Sequence, residues 1–189
     1  DENLVTEITH QIYNACECLG ISVVGGHTEI THGLDRPILM GTMIGEVSHQ
    51  KLVRASGAQP GDHILLTKGV PIEATAILAH EFPQQVRDIL GEEGLQAATQ
   101  YLYDPGISVV KDAQVATSNG KVNCMHDPTE GGLAGALWEM AEASQVTFVI
   151  RPESVPIPPL TARLCAAFNL DPLRTIASGA LLLTTPAAD

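Results

Sequence analysis

The sequence predicts an α/β fold in which helices cover a sheet. Short apolar segments typical of strands alternate with segments of helical periodicity, and three strand segments are uniformly apolar, like strands buried on both faces. Apolar residues make up 44% of the 189-residue chain and charged residues 17%, which allows a sizeable core. Seventeen glycines and twelve prolines indicate many tight turns between short elements.

The first part of the chain contains one predicted helix and two predicted strands. Apolar residues at helical spacing predict a helix that ends at Gly20, a typical C-cap residue. The segments ISVV (21–24) and ILMGTMIGEV (38–47) predict buried strands. The apolar pattern dissolves between residues 48 and 62, so we expect the seam between two structural units there.

The second part alternates strands and helices. The predicted strands are short apolar segments: HILLT (63–67), VNCM (122–125), TFVI (147–150) and ALLLTT (180–185). The predicted helices begin at about Pro71, follow the loop at 126–132, and cover 160–168. Residues 83 to 119 are predicted to be helical in short pieces, broken at Gly91, Gly94 and 104–106.

The charge distribution indicates which partners the protein can bind, and the first residues and the cysteines indicate its compartment. The net charge is −12 and the basic residues are scattered, which argues against a nucleic acid or an anionic membrane surface as partner. The sequence contains no uninterrupted apolar stretch of about 18 residues, so it does not predict a membrane span. The first residues lack the features of a signal peptide, and no two of the four cysteines form a CxxC pair, so we expect a cytoplasmic protein with free thiols.

The segment MHDPTEGG (125–132) places polar groups and two glycines between a strand and a helix. Backbone N–H groups at a helix N-terminus bind anions, and Gly131 and Gly132 let a phosphate approach the backbone. Asp127 can hold Mg²⁺, and His126 can transfer a proton or hydrogen-bond a substrate. The structural alternative is that Asp127 or Thr129 caps the helix while the glycines serve packing.

A second glycine pair ends a predicted strand in VVGGHTEITHG (23–33). Polar side chains gather directly after Gly25 and Gly26: His27, Thr28, Glu29, Thr31 and His32. Three of them, His27, Glu29 and His32, can form a metal site; the structural alternative is a β-bulge that needs glycine. Lys68 follows the strand HILLT and can contact a phosphate, although most such lysines are only solvated.

The sequence resembles the ATP-dependent superfamily that includes aminoimidazole ribonucleotide (AIR) synthetase. Several motifs occur in the order typical of this superfamily, and its fold is called PurM-like. Its other members include HypE-like hydrogenase-maturation proteins, selenophosphate synthetase and thiamine-monophosphate kinase. HDPTEGGLAGALWEMAEAS (126–144) and FNLDPLRTIASGALLLTTP (168–186) are similar to HypE-like segments. VGGHTEIT (24–31) and DPGISVVKDAQVA (104–116) are similar to AIR synthase-related proteins.

The resemblance implies a two-domain arrangement. Residues 1–50 correspond to the latter part of the N-terminal domain, and residues 58–189 to most of a C-terminal α/β/α three-layer sandwich. The chain starts at a helix without a preceding strand and stops directly after a strand, so we expect a piece of a longer polypeptide. The family's acidic Gly-Asp-Asp segment and HypE's C-terminal cysteine are absent, so we expect this piece alone not to turn over ATP.

The resemblance also implies ATP and Mg²⁺ as cofactors and a homodimer for the whole protein. Asp127 and His126 are the implied catalytic groups, and Asp127 the implied metal ligand. The implied nucleotide-binding residues are Gly25, Gly26, Thr28, Glu29, Lys68, Thr129, Gly131 and Gly132. The whole protein is expected to phosphorylate or activate an oxygen of a small-molecule or protein-borne substrate. The alternative is a non-catalytic module that binds an anionic metabolite or a partner protein.

Overall fold

The computed structural model describes residues 2–187 and divides into two compact units, Asp1–Glu46 and Val47–Asp189. No helix among the described residues is long and apolar enough to cross a bilayer. The predicted α/β class is confirmed, because helices and a sheet are both present.

The first unit contains one regular element, helix α1 (Glu2–Leu19). Its apolar stripe leaves Ile8, Ile12 and Cys16 half-buried. The helix ends as predicted at Gly20, which has a left-handed backbone (φ 67°). The N–H of Ile21 donates to the carbonyl of Cys16 at 3.0 Å, which closes a Schellman-type C-cap.

The two strands predicted after α1 are not formed, and this part of the prediction is wrong. Residues 21–24 and 38–47 are irregular and exposed; Val24 is 92% exposed and Met40 90%. An apolar pattern indicates which side chains favour burial, but a strand also needs a second backbone segment to accept and donate its hydrogen bonds. Within the described part of the first unit, no segment pairs with these residues.

The second unit contains three strands and five helices. The strands are β1 (His63–Leu66), β2 (Cys124–His126) and β3 (Leu182–Thr185). The helices are α2 (Ile72–Glu81), α3 (Pro83–Gln100), α4 (Val110–Asn119), α5 (Gly132–Ser144) and α6 (Pro159–Ala167). A π-helical turn (Leu102–Gly106) and two short 3-10 helices (His49–Lys51 and Pro152–Ser154) complete the regular structure of the described residues.

The sheet has the order β1–β3–β2, and both pairings are antiparallel. His63 pairs with Thr185, and His126 pairs with Leu182, so the start of β1 and the end of β2 lie at opposite ends of β3. The strand predicted at 147–150 is not formed. Its residues alternate between exposed and half-buried as in a strand, but none pairs with another described segment.

Two apolar clusters form the core of this unit. The first combines the sheet with α5: Ala58, Val70, Cys124, Leu133, Ala136, Met140, Ala177, Ala180 and Leu182. The second joins α2, α3 and α6: Leu78, Ala79, Val86, Leu95, Ala98 and Leu164. The buried hydroxyls of Thr75 and Thr161 share a hydrogen bond of 2.9 Å between α2 and α6. Burial of apolar surface in these clusters is the main stabilising term of the unit.

The helical stretch from 83 onward follows the prediction in part. Helix α3 is kinked at Gly91, whose backbone is left-handed (φ 80°), and the helix ends before the turn at 102–106. The predicted break at Gly94 is wrong, because Gly94 lies inside α3. A single glycine inside a helical pattern is tolerated, so Gly94 does not interrupt the helix.

Asp62 ties the beginning of β1 to the other two strands. Its carboxylate accepts hydrogen bonds from the Gln59 N–H, the Asn123 side-chain amide and the Thr184 hydroxyl, each at 2.9 Å. Desolvation is the largest influence and raises the pKa of Asp62, but the hydrogen bonds together outweigh it, so the pKa lies below its ordinary value. The ionised form therefore stabilises the fold.

Lys68 connects the other end of β1 to two distant segments. Its ammonium donates to the carbonyls of Gly106 (3.2 Å), Ser108 (2.8 Å) and Gly179 (2.9 Å). It also lies 3.1 Å from the carboxylate of Asp112 on α4. Both charged side chains are largely buried, at 17% and 14% exposure. The ammonium has three N–H groups, so these four acceptors occupy it completely.

We expect the stability of the second unit to fall at acidic pH because of Asp62. In the unfolded chain an aspartate has a pKa of about 3.9, and the folded value is lower, so the folded state binds fewer protons. The stabilisation is present above the unfolded value and is lost as pH falls through the folded value. Urea unfolding at several pH values between about 6 and 2.5 measures this loss, and Asp62→Asn should remove that contribution. The exposed Asp88→Asn is the matched control, and an unchanged pH slope in Asp62→Asn would contradict the assignment.

We expect Lys68→Met to destabilise the fold by about 2–4 kcal/mol. Methionine keeps the apolar stem but leaves the three carbonyls and the Asp112 carboxylate without their donor. The control is Lys111→Met, because Lys111 is the exposed neighbour of Asp112 on the same helix. Its effect should stay within about 0.5 kcal/mol. Equal unfolding free energies for the two variants would show that the Lys68 contacts contribute nothing.

Candidate functional site

The strongest candidate site is the glycine-containing loop between β2 and α5. Strand β2 ends at His126, and α5 begins at Gly132. The residue before the helix, Gly131, has a left-handed backbone (φ 82°) and is the N-cap. No side chain caps this helix, so the alternative in which Asp127 or Thr129 is the cap is wrong.

Most N–H groups in the first turn of α5 already have acceptors inside the protein. The N–H of Gly132 donates to the Thr129 carbonyl at 3.0 Å, and that of Ala134 to the Leu173 carbonyl at 2.8 Å. The N–H of Gly135 donates to the Gly131 carbonyl at 3.1 Å. A helix N-terminus binds an anion through unoccupied N–H groups. The Gly132 N–H is therefore not available to a phosphate in this conformation.

Close backbone packing explains why residue 132 is glycine. A Cβ at this position would lie 2.5 Å from the carbonyl oxygen of Thr175 and 2.8 Å from that of Leu173. The segment 171–175 thus docks directly on the start of α5, and its own turn is held by a Thr175 N–H bond of 3.0 Å to the Asp171 carbonyl. Gly132 therefore permits close packing of the protein backbone, which was the structural alternative to a phosphate contact.

The side chain of His126 is held by a carboxylate that sequence inspection did not single out. Its Nε2 lies 2.6 Å from Oε2 of Glu139, which is on the second turn of α5. Its Nδ1 lies 3.7 Å from Oδ1 of Asp127. His126 is half-buried, at 24% exposure, whereas both carboxylates are more than half exposed. The feature of the sequence that could have identified Glu139 is its position on the helix that follows His126.

Asp127 fits a magnesium ligand by the chemistry of its donor atoms, since Mg²⁺ in nucleotide sites takes one or two carboxylates together with phosphate oxygens and water. Its side chain is 55% exposed and therefore accessible. Across residues 2–187 there is no group of three or more His, Cys, Asp or Glu side chains that could hold a metal by themselves. A cation at Asp127 would thus need further ligands beyond the side chains of residues 2–187.

The remaining predicted site residues include four from the first unit and Lys68 from the second. Gly25, Gly26, Thr28 and Glu29 belong to the exposed irregular segment of the first unit. The three-residue metal site predicted there, with His27 and His32, is not assembled within the described range. Lys68 contacts three carbonyls and Asp112 in this structure, and its contact with a phosphate stays a prediction.

A separate groove of about 1080 Å³ lies between β1 and residues 145–156. Its lining is mainly apolar and includes Leu133, Leu137 and Phe148. None of the predicted site residues lines this groove. The polar part of its lining includes the cation Arg151 and the carboxylate of Asp62.

We expect Gly132→Ala to lower the unfolding free energy by about 2–4 kcal/mol, because its Cβ meets two carbonyl oxygens and its φ of 62° is strained for alanine. The matched control is Gly135→Ala in the same helix, where the Cβ would lie an ordinary 3.5 Å from the Glu130 carbonyl. This control should gain about 0.5–1 kcal/mol from helix propensity. Denaturant unfolding of both variants tests the packing role, which equal effects would refute.

Relatives of the chain include hydrogenase-maturation proteins and kinases. It is 29% identical over 169 residues to a putative hydrogenase expression/formation protein of Methanocaldococcus jannaschii, with 89% of this chain and 47% of the relative covered. It is 29% identical over 184 residues to the carbamoyl dehydratase HypE of Cupriavidus necator, covering 96% and 49%. It is 30% identical over 167 residues to a selenide, water dikinase of Clostridioides difficile, covering 83% and 41%. The chain spans about half the length of the curated relatives it matches.

Solved structures show the same fold. A HypE protein in complex with ATP superposes with a TM-score of 0.68 at 19% identity, covering 98% of this chain and 53% of that one. A ThiL protein in complex with AMPPCP and TMP gives a TM-score of 0.56 at 20% identity, covering 71% and 42%. Both support a PurM-like, HypE-like fold.

Two family models match adjacent parts of the sequence. The N-terminal domain of AIR synthase related proteins matches residues 1–47, and the C-terminal domain of the same family matches residues 59–189. Together with the fold and the motifs of the α5 loop, these matches show that the chain belongs to the AIR synthase-related family.

Proposed function

We propose that the protein to which this chain belongs uses Mg-ATP to phosphorylate or otherwise activate an oxygen of a small-molecule or protein-borne substrate. The observation that carries the proposal is the placement of His126 and Asp127 at the end of β2, beside the start of α5. Relatives named carbamoyl dehydratase and selenide, water dikinase, and fold neighbours that hold ATP and AMPPCP, support the nucleotide.

The residues of the α5 loop would contribute positioning and charge. Phosphoryl transfer needs little covalent participation from the protein and depends on alignment and on neutralising negative charge. Mg²⁺, when bound, would supply that neutralisation at the phosphates, and Asp127 would hold it. Gly131 leaves the backbone accessible beside the exposed Asp127, and the half-buried His126 would hydrogen-bond the group that reacts.

Further residues are proposed for the nucleotide on the family resemblance. They are Gly25, Gly26, Thr28 and Glu29 in the first unit and Thr129 in the second. Large apolar side chains between residues 21 and 47 are exposed, among them Val24, Ile30 and Met40. Exposed apolar side chains favour protein association where they form a patch, which supports the proposal that the whole protein is a homodimer. A cytoplasmic location remains a prediction.

The second candidate function is a non-catalytic module that binds an anionic metabolite or a partner protein. Two observations favour the form of it that binds a partner protein: the N–H of Gly132 and the ammonium of Lys68 are both occupied inside the protein and do not offer donors to an anion in this conformation. Isothermal titration of the whole protein with Mg-ATP, followed by an assay for the conversion of ATP to ADP or AMP, separates the candidates. Binding with turnover supports the enzyme, binding without turnover supports the module, and no binding at millimolar nucleotide excludes the enzyme.

We expect Asp127→Asn in the whole protein to lower ATP-dependent turnover at least about 100-fold, because the neutral amide is a poorer Mg²⁺ ligand. Stability should change by less than about 0.5 kcal/mol, since Asp127 is exposed and caps no helix. Asp88→Asn, an exposed substitution on α3, is the control for lost charge. Steady-state kinetics and urea unfolding measure both effects. Normal turnover in Asp127→Asn would assign the loop a structural role only.

A further inference from the structure

The contact between His126 and Glu139 determines which ring nitrogen carries a proton. A separation of 2.6 Å between Nε2 and the Glu139 oxygen requires a hydrogen between them, and an ionised carboxylate can only accept. In the neutral ring the proton therefore lies on Nε2. The other nitrogen, Nδ1, then presents a lone pair.

Among residues 2–187, the lone pair of Nδ1 has no partner at hydrogen-bond distance. Its nearest charged neighbour is Asp127, and the 3.7 Å between Nδ1 and Oδ1 is too long for a direct hydrogen bond. Both of these atoms are acceptors when the ring is neutral. A group that donates an O–H or N–H can therefore lie between them and satisfy one or both.

We propose that Glu139 is a positioning residue that fixes His126 with Nδ1 as an acceptor toward the Asp127 side of the loop. The inference rests on the proposed function, because the group that donates to Nδ1 would be an O–H or N–H of the substrate or of its bound water. Glu139 does not touch that group. It acts through the imidazole, as a carboxylate does when it selects the tautomer of a neighbouring histidine.

Glu139 contributes less to the fold than to this orientation. Its side chain is 54% exposed on α5, and the helix is anchored through the buried residues Leu133, Ala136 and Met140. Removal of the carboxylate therefore leaves the core intact and frees the ring to exchange its proton between Nδ1 and Nε2. A variant at position 139 can thus be tested in folded protein.

The direct test is a long-range ¹H–¹⁵N spectrum of the histidine rings at about pH 8.5, where an ordinary imidazole is neutral. We expect His126 in the unsubstituted protein to show a protonated Nε2 and an unprotonated Nδ1. Glu139→Met should give an average of the two tautomers. Glu139→Gln places an amide that can donate to Nε2 as well as accept from it, so this variant should also lose the purely Nε2-protonated pattern. The control Glu142→Met, one turn further along the same exposed face, should leave the pattern unchanged.

A kinetic test follows in the whole protein. We expect Glu139→Met to lower kcat about tenfold or more while the KM for ATP stays within about twofold, because a group in the wrong tautomer slows the reacting complex without weakening nucleotide binding. Glu139→Gln should also lower kcat, because its amide can donate to Nε2 and hold the other tautomer, and Glu142→Met should behave as the unsubstituted protein.

The outcomes separate this inference from the proposed function. An Nε2-protonated ring in Glu139→Met, or an unchanged kcat in that variant, would overturn the positioning role even if ATP is turned over. If the protein does not turn over ATP, the proposed function fails, and the ring spectrum still decides whether Glu139 sets the tautomer.

Discussion

The candidate site depends on the docking of one irregular segment against the start of α5. The carbonyls of Leu173 and Thr175 approach the backbone of Gly132 so closely that no side chain fits between them, and the Leu173 carbonyl accepts the Ala134 N–H at 2.8 Å. This contact fixes where α5 begins. The position of Glu139 follows from the helix start, and the orientation of His126 follows from Glu139. If α5 began one residue earlier or later, the contact between Glu139 and His126 would be lost.

The sheet supports that docking by holding three distant segments in register. Asp62 joins the turn before β1 to Asn123 and Thr184, while Lys68 joins the other end of β1 to Gly106, Ser108 and Gly179. Both charged groups replace water with several hydrogen bonds, which offsets the cost of their burial. The segment docked on α5 continues along the chain to Gly179 and β3. The hydrogen bond from Lys68 to the Gly179 carbonyl therefore also restrains that segment.

Local sequence patterns predicted one helix end, two helices and the three strands that pair with one another. The C-cap at Gly20, helices α2 and α6, and all three strands of the sheet were readable from spacing and turn residues. The strands expected at 21–24, 38–47 and 147–150 failed because strand formation depends on a paired backbone, which apolar character alone does not specify. For the site, His126 and Asp127 were identified from their residue types. Glu139 was not, because only the fold brings it next to His126.

The paired glycines illustrate why composition alone assigns a loop ambiguously. Glycine permits a phosphate to approach the backbone, and equally permits a protein carbonyl to do so, since both require the absence of a Cβ. At Gly132 the protein carbonyls occupy that space. Two requirements therefore divide between neighbouring residues: Gly132 serves the packing that places the helix, while the exposed Gly131 keeps the backbone open beside Asp127. Any chemistry at this loop must then come from the polar side chains that the packing positions, and His126, Asp127 and Glu139 are the ones it brings together.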